Sequence, residues 1–396
     1  MFEKIVLRRS TTGVALTPGE IAEALLFYQN VHVVLDYGTI MSISKSLGMR
    51  AFLSLVRRKR LSAVYTSEML MAHCNNVGSI SHHGFVAGIL SGKQGEQLRK
   101  GRRAHLELAL EQSGHSREEA AKLAEQFMEV IPIKSYSSNY FVPGGILSSA
   151  AADLRDGVYI SKALRCVLAN QVGFEPFADN LQVDIVTLDD GSFVILSNID
   201  FEAGNARRRK IDPALGDFGE GGLAVALLDA NADVNIASLY GGDFYTSSMS
   251  SDIVRVRFSE LLRRTGVSAS QLQQFKDIVL TDYPTLKEVI NSKERSFSEF
   301  EKLLEKSDKF RRSVHQMSPD ANLVGEYFRE TMREGWISSL PAKGVRFVVG
   351  LGIGAVDPIA GAAFSGADTF LLDKLKGWRP SHFVDGKLKP FLEDKN

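Results

Sequence analysis

The sequence predicts an α/β fold: an N-terminal α/β part with a short, partly parallel sheet and one antiparallel hairpin, followed by a mostly helical C-terminal domain. Three observations carry that expectation. Short β-branched runs alternate with helical spacing over the first hundred residues, an Asp-Gly pair separates two β-rich runs near position 190, and from about 250 onward nearly every local signal is helical. The 396 residues are 44% hydrophobic and 24% charged, which supplies a sizeable core and excludes a wholly disordered chain.

Taken in order, Ile5-Val6-Leu7 suggests a first strand, and Thr17-Pro18-Gly19-Glu20 is a capping box that opens a helix through Tyr28. Val31-His32-Val33-Val34-Leu35-Asp36 fits a buried strand. Helical spacing follows from about Ile40 to Val56, interrupted near Gly48, before a third strand at Leu61–Tyr65. Strand, helix, strand in that order implies a parallel pair with a right-handed crossover. Ser116-Arg117-Glu118-Glu119 starts a helix to about Glu129, Tyr136 to Gly145 is loop-like, and Leu147 to Asn170 reads as one longer helix. Val183–Leu188 and Phe193–Leu196 flank Asp190-Gly191, a pair that favours a type I′ hairpin turn. A glycine-rich stretch at 216–222 leads into an apolar helix over Leu223 to Leu239. Capping boxes recur at Ser268 with Gln271 and at Ser296 with Glu299, and Ser318-Pro319 marks another helix start. The spacing of Phe297-Phe300-Leu303-Leu304 is that of a core-facing helix.

These signals divide the chain into a first α/β part over 1–100, a helical insertion over 101–180, a second α/β part over 181–265 and a helical C-terminal domain over 266–396. Lys+Arg and Asp+Glu both number 47, so net charge alone does not draw the molecule to nucleic acid. The basic residues are unevenly placed, however. Arg57, Arg58, Lys59, Arg60, Arg102 and Arg103 form runs in the N-terminal part that suit a phosphate-contacting rim, and Arg207–Lys210 forms another run, expected in a loop. Two cysteines, Cys74 and Cys166, are too few for a disulfide framework. With no basic stretch followed by a long apolar run at the start, a cytoplasmic location is expected.

The least usual composition lies between Val345 and Phe364. Gly350, Gly352 and Ala355 fit a dinucleotide fingerprint, but Pro358 interrupts the helix that it requires. Asp357-Pro358 also splits the stretch into arms shorter than the ~20 apolar residues of a membrane span, so a membrane is not an expected partner. The expectation is a tight helical hairpin packed on the body of the protein, with a partner protein as the natural occupant of the C-terminal helices. His73-Cys74 and His82-His83 lie within ten residues, but neither a C-x₂-C nor an H-x₃₋₅-H pair accompanies them as structural zinc sites usually require. Neither the P-loop pattern nor G-x-S-x-G occurs.

The remaining chemistry is carried by carboxylates. Asp36 closes the strand Val31–Leu35, at the end of a parallel strand where α/β sheets place ligands. Glu68 follows the next strand in Tyr65-Thr66-Ser67-Glu68-Met69-Leu70. Further on stand Asp233-Val234-Asn235-Ile236-Ala237-Ser238 and Asp243-Phe244-Tyr245-Thr246-Ser247-Ser248. In this order the pieces resemble a PIN-like nuclease domain. The resemblance implies a strand ending in an acid, a second acid on a helix after the next strand, a helix that begins with an acid, and a final strand with a Thr/Ser turn. It further implies metal-dependent cleavage of a phosphodiester, usually in RNA, of the kind a toxin or phage-defence effector performs. Asp36, Glu68, Asp233 and Asp243 would then be the catalytic carboxylates holding Mg²⁺ or Mn²⁺. The chain departs from the family pattern at Ser248, where the last acid is normally found, so that Asp243 or Asp252 has to substitute. Two other expectations stand beside this one: a non-catalytic interaction or scaffold protein on a degenerate α/β domain, and a membrane-perturbing effector acting through residues 345–372.

Overall fold

The structure, a computed structural model, describes residues 4–9, 16–78, 80–88, 96, 100–174, 181–245, 249–250, 252–254, 256–257, 286–315 and 383–392. A five-stranded parallel sheet is ordered β6-β3-β2-β1-β9, from β1 (Lys4–Arg8), β2 (Asn30–Leu35), β3 (Ser62–Thr66), β6 (Ile133–Lys134) and β9 (Asp243–Tyr245). A four-stranded antiparallel sheet is ordered β4-β5-β8-β7, from β4 (Met69–Val77), β5 (Ile80–Gly88), β7 (Val183–Thr187) and β8 (Phe193–Ser197). The chain steps outward from β1 to β6 and then returns to lay β9 against the free side of β1. That reversal is the topological switch of a doubly wound sheet.

Alternation along the parallel strands sends Ile5, Leu7, Val31, Val33, Leu35, Ala63 and Tyr65 to one face. There they meet α1 (Pro18–Phe27), α2 (Tyr37–Ser46), α3 (Met49–Arg57), α4 (Arg102–Gln112) and α5 (Arg117–Val130). Residues 101–134, expected within a helical insertion, thus supply two helices to this face and the edge strand β6. The opposite face, through Val6, Val34 and Val64, packs on α6 (Gly145–Asp153) and on α9 (Glu220–Tyr240). The far side of α9 packs with α7 (Gly157–Ala169) against the inner face of the antiparallel sheet. Helix α9 is therefore apolar nearly all round because it lies between two sheets. Among the described residues it is the one helix long and apolar enough to cross a membrane, and 72% of that stretch is buried inside the protein.

Local signals explain much of this. Thr17 and Glu20 form both halves of the expected capping box of α1, and Ser296 and Glu299 do the same for α11 (Phe297–Glu305). The interruption near Gly48 is the break between α2 and α3. The helix expected over Leu147 to Asn170 is two helices instead: Asp156 caps the second by accepting from the Tyr159 N–H, which starts a new α7 after α6 has ended. The run Arg207–Lys210 lies on α8 (Phe201–Ile211), not in a loop. The 190s turn is not type I′, which needs positive φ at both central residues. Only Gly191 has it (φ 81), while Leu188 N–H bonds the Ser192 carbonyl and Gly191 N–H the Leu188 carbonyl, a wider loop closed by one left-handed glycine. The motifs at 268–271, 318–319 and 345–372 lie outside the described residues.

His32 of β2 reports on the interior. Its Nδ1 bonds Ser62 Oγ at 2.8 Å, and its ring stacks on Tyr240 at 3.7 Å. Burial lowers its pKa to about 4. A base with a depressed folded pKa contributes stability above its unfolded value, near 6.5, and loses it as pH falls toward 4. Replacing His32 by Gln is expected to flatten that part of the curve: the stability gap between wild type and variant, measured by urea denaturation, should shrink by a few kcal/mol between pH 6.5 and pH 4.

Candidate functional site

The carboxyl ends of β1, β2, β3 and β6 converge beside the switch point, and two consecutive arginines leave β1 there in opposite directions. Arg8 turns toward α9. Its Nε donates to Asp233 Oδ1 at 2.7 Å, and its Nη2 donates to both Asp229 Oδ1 and the Asp229 carbonyl at 3.0 Å. All three side chains are buried, with 4% of Arg8, 0% of Asp229 and 2% of Asp233 exposed. Burial alone lowers the Arg8 pKa, yet Asp233 and then Asp229 outweigh it and hold the guanidinium charge well above its ordinary value. Arg8 also bonds the Tyr136 hydroxyl, which is tied to Thr66 as well, and burial pushes that phenol above its usual range.

Arg9 takes the other side. Its guanidinium lies over Gly38 in the first turn of α2, and its Nε is buried with no hydrogen-bond partner among the described residues. The anion at that helix start is Asp36, which caps α2 by accepting from the Thr39 N–H at 2.6 Å. Glu68 sits between β3 and β4. Its carboxylate accepts from Ser135 Oγ at 2.6 Å, from the Tyr136 N–H at 2.8 Å and from Ser137 Oγ at 3.4 Å. It latches the end of β3 to the loop that follows β6.

The four carboxylates singled out in the sequence are thus in four different situations. Asp36 and Glu68 do lie at the carboxyl ends of adjacent parallel strands. Glu68 leads into the β4–β5 hairpin, however, and is not carried on a helix. Asp233 is in the middle of α9 rather than at its start, and its charge is taken by Arg8. Asp243 opens β9 level with Ile5, which is itself level with Val31; Asp36 lies five residues further along β2, about 16 Å at 3.3 Å per residue. Among the described residues no group of three or more His, Cys, Asp or Glu side chains is placed to hold a metal ion. The carboxylates that could hold Mg²⁺ or Mn²⁺ are Asp36 and Glu68, each already accepting hydrogen bonds.

The other motifs disperse as well. His73 and His82 point to the outer face of the antiparallel sheet, and His83 points inward, where its Nε2 lies 2.7 Å from Glu220 Oε2. Cys74 is an exposed free thiol; Cys166 is half-buried, its thiol pKa raised first by burial and then by Asp252. Arg57 through Arg60 end α3 and lead into the amino end of β3, where Arg57 pairs with Glu129 and Arg58 with Glu301 near the surface. Arg103 pairs with Glu107 one turn along α4, while the charge of Arg102 partly offsets the upward push that burial and Asp36 exert on the Tyr65 phenol. Of the second run, Arg207 donates to the Gly173 carbonyl, Arg208 to the Gly216 carbonyl, and Arg209 pairs with Asp217.

The residues that the sequence does not single out are Arg8, Asp229 and Tyr136. A signal for one of them is present: Asp229 stands four residues before Asp233 in an otherwise apolar helix, so the two share a face and need a cation once buried. Compared with known proteins, the chain matches no family model, no curated protein and no solved structure.

Replacing Arg8 by Met removes the guanidinium that pairs with two buried carboxylates. Urea denaturation should show a loss on the order of 3–5 kcal/mol, narrowing in acid as those carboxylates take up protons. Replacing Asp36 by Ala should cost about 1 kcal/mol, the value of one N-cap.

Proposed function

We propose that this chain acts as a non-catalytic interaction protein, built on an α/β domain whose own charges close the ligand-facing end of its parallel sheet. One observation carries the reading. Arg8 occupies the switch point and pairs with Asp229 and Asp233, so Asp233, one of the four expected acids, is neutralised inside the fold and does not join Asp36 and Glu68. The reading draws support from the antiparallel sheet, where Val77, Ile80, Val186 and Leu196 are open to solvent.

The PIN-like, metal-dependent nuclease is the second reading, favoured by the placement of Asp36 and Glu68 at neighbouring strand ends. Mg²⁺ or Mn²⁺ would there activate water and stabilise the leaving oxygen. A membrane-perturbing role rests on residues 345–372, outside the described residues.

One experiment separates the first two. The full chain is titrated with Mn²⁺ by calorimetry and incubated with single-stranded RNA and Mn²⁺, alongside Asp36→Ala and Glu68→Ala. The interaction reading expects no saturable Mn²⁺ binding below millimolar concentration and intact RNA in all three samples. Mn²⁺-dependent cleavage by the wild type that both variants lose would overturn it in favour of the nuclease.

A further inference from the structure

Helix α1 is buried on all sides, which a helix flanking a parallel sheet does not need to be. All ten of its residues are buried, including the two carboxylates Glu20 and Glu23. The outer layer comes from α10 (Leu286–Asn291), α11 and α12 (Asp308–His315), more than 250 residues further along the chain. Their apolar side chains Leu286, Val289, Ile290, Phe300, Leu303 and Phe310 join the core that contains Ile21, Leu25 and Tyr28.

The polar contacts across this layer are specific to the ends of α1 and to its two acids. Asn291 Oδ1 accepts from the Gly19 N–H at 2.9 Å and its Nδ2 donates to Thr17 Oγ1 at 3.0 Å. At the other end, Arg311 donates to the Tyr28 carbonyl at 2.7 Å. The close approach depends on Gly19, because a Cβ there would collide with the backbone of Lys287. Lys287 Nζ donates to Glu20 Oε1 at 2.7 Å, and Tyr245 Oη donates to the same oxygen at 2.5 Å. Among the described residues, Glu23 receives only the Lys287 backbone N–H, at 2.8 Å.

Charge counting then decides the matter. The charged groups acting on Glu23 are Lys287 and Glu288 of α10 and Glu20 of α1 itself. Strand β9 contributes Tyr245, which bonds Glu20; α12 contributes Arg311, which bonds a carbonyl; and α11 contributes apolar side chains to the same core. One ammonium faces two buried carboxylates and is committed to Glu20, so ionised Glu23 would be buried without a cation of its own. We propose that the docking of α10 on α1 is a proton-linked clamp: tightest in acid, with Glu23 uncharged, and progressively looser as pH rises through neutral.

Burial pushes the Glu23 pKa up to about 8, with the Lys287 N–H and charge pulling only part of the way back. The raised value sets the sign. The contribution of Glu23 to docking is fully present below its free value near 4.5; the docking constant then falls roughly tenfold per pH unit and levels off above about 8, where Glu23 is ionised docked or undocked.

The test is hydrogen exchange of the full chain at pH 5, 6, 7, 8 and 9, followed at residues 18–27 and 286–291. Wild type is compared with Glu23→Gln and Glu20→Gln, and the wild-type-to-variant ratio at each pH cancels the intrinsic pH dependence of exchange. The clamp expects that ratio to rise roughly tenfold per pH unit between 5 and 8 at both helices and to level off above 8. It expects no rise between the two variants, since removing either acid leaves Lys287 enough for the other. Amides of β2 and β3 serve as the internal control. A ratio that stays flat in these helices between pH 5 and 8, or that rises equally in β2 and β3, overturns the proposal.

Discussion

A guanidinium at the end of one strand and two carboxylates on one turn of a distant helix have to be buried together or not at all. Either side stripped of the other would leave an unpaired charge in the interior, at a cost of several kcal/mol, although the assembled triad adds little net stability beyond an apolar replacement. The effect is chiefly one of specification. Arg8 fixes the height and rotation of α9 against β1, because only one registry of the helix offers Asp229 and Asp233 to Nη2 and Nε simultaneously. As α9 also forms the inner wall of the antiparallel sheet, that single registry sets the spacing of both sheets. The same helix turns Asn231 and Asn235 toward Ser149, with Asn231 also reaching Asp153, so its polar residues bind inside the protein on two sides.

The elements that can be read from the sequence are those encoded within a few residues. Thr17 with Glu20, Ser116 with Glu119 and Ser296 with Glu299 announce helix starts through bonds three residues long, and each start is found. The β-rich run at 31–35 is buried on both faces and shows it in composition, and the run expected at 61–65 forms β3, buried from Ala63 onward. The hairpin of β4 and β5 is not legible, because its strands mix Met, Ala, His, Cys, Asn and Gly, with little β-branched content and no clean alternation. Its pairing is decided by the helix beneath it.

The candidate site shows the same division more sharply. Asp36 can be placed at a strand end because the strand and the following helix are both local. Asp233 cannot be assigned, since its role depends on an arginine 225 positions away. Sequence order brings the acids into a suggestive series. Three-dimensional order leaves Asp243 at one end of the sheet and Asp36 at the other, because a strand direction is a property of the whole fold. Helix α1 behaves similarly: Glu20 is legible as a capping acid, while nothing local to Glu23 announces its burial, since the cover comes from the segment at 286–315.

The pairing of β9 with β1 carries a consequence for the newborn chain. Until residue 245 has left the ribosome, β1 has one bare edge and Arg8 has no counter-ion, since both come from the stretch beyond residue 228. At about 5–20 residues per second of translation, that interval lasts roughly ten to fifty seconds. Throughout it the nascent N-terminal half presents an open hydrogen-bonding edge beside an unneutralised cation, a charge that disfavours edge-to-edge association of neighbouring chains on one message.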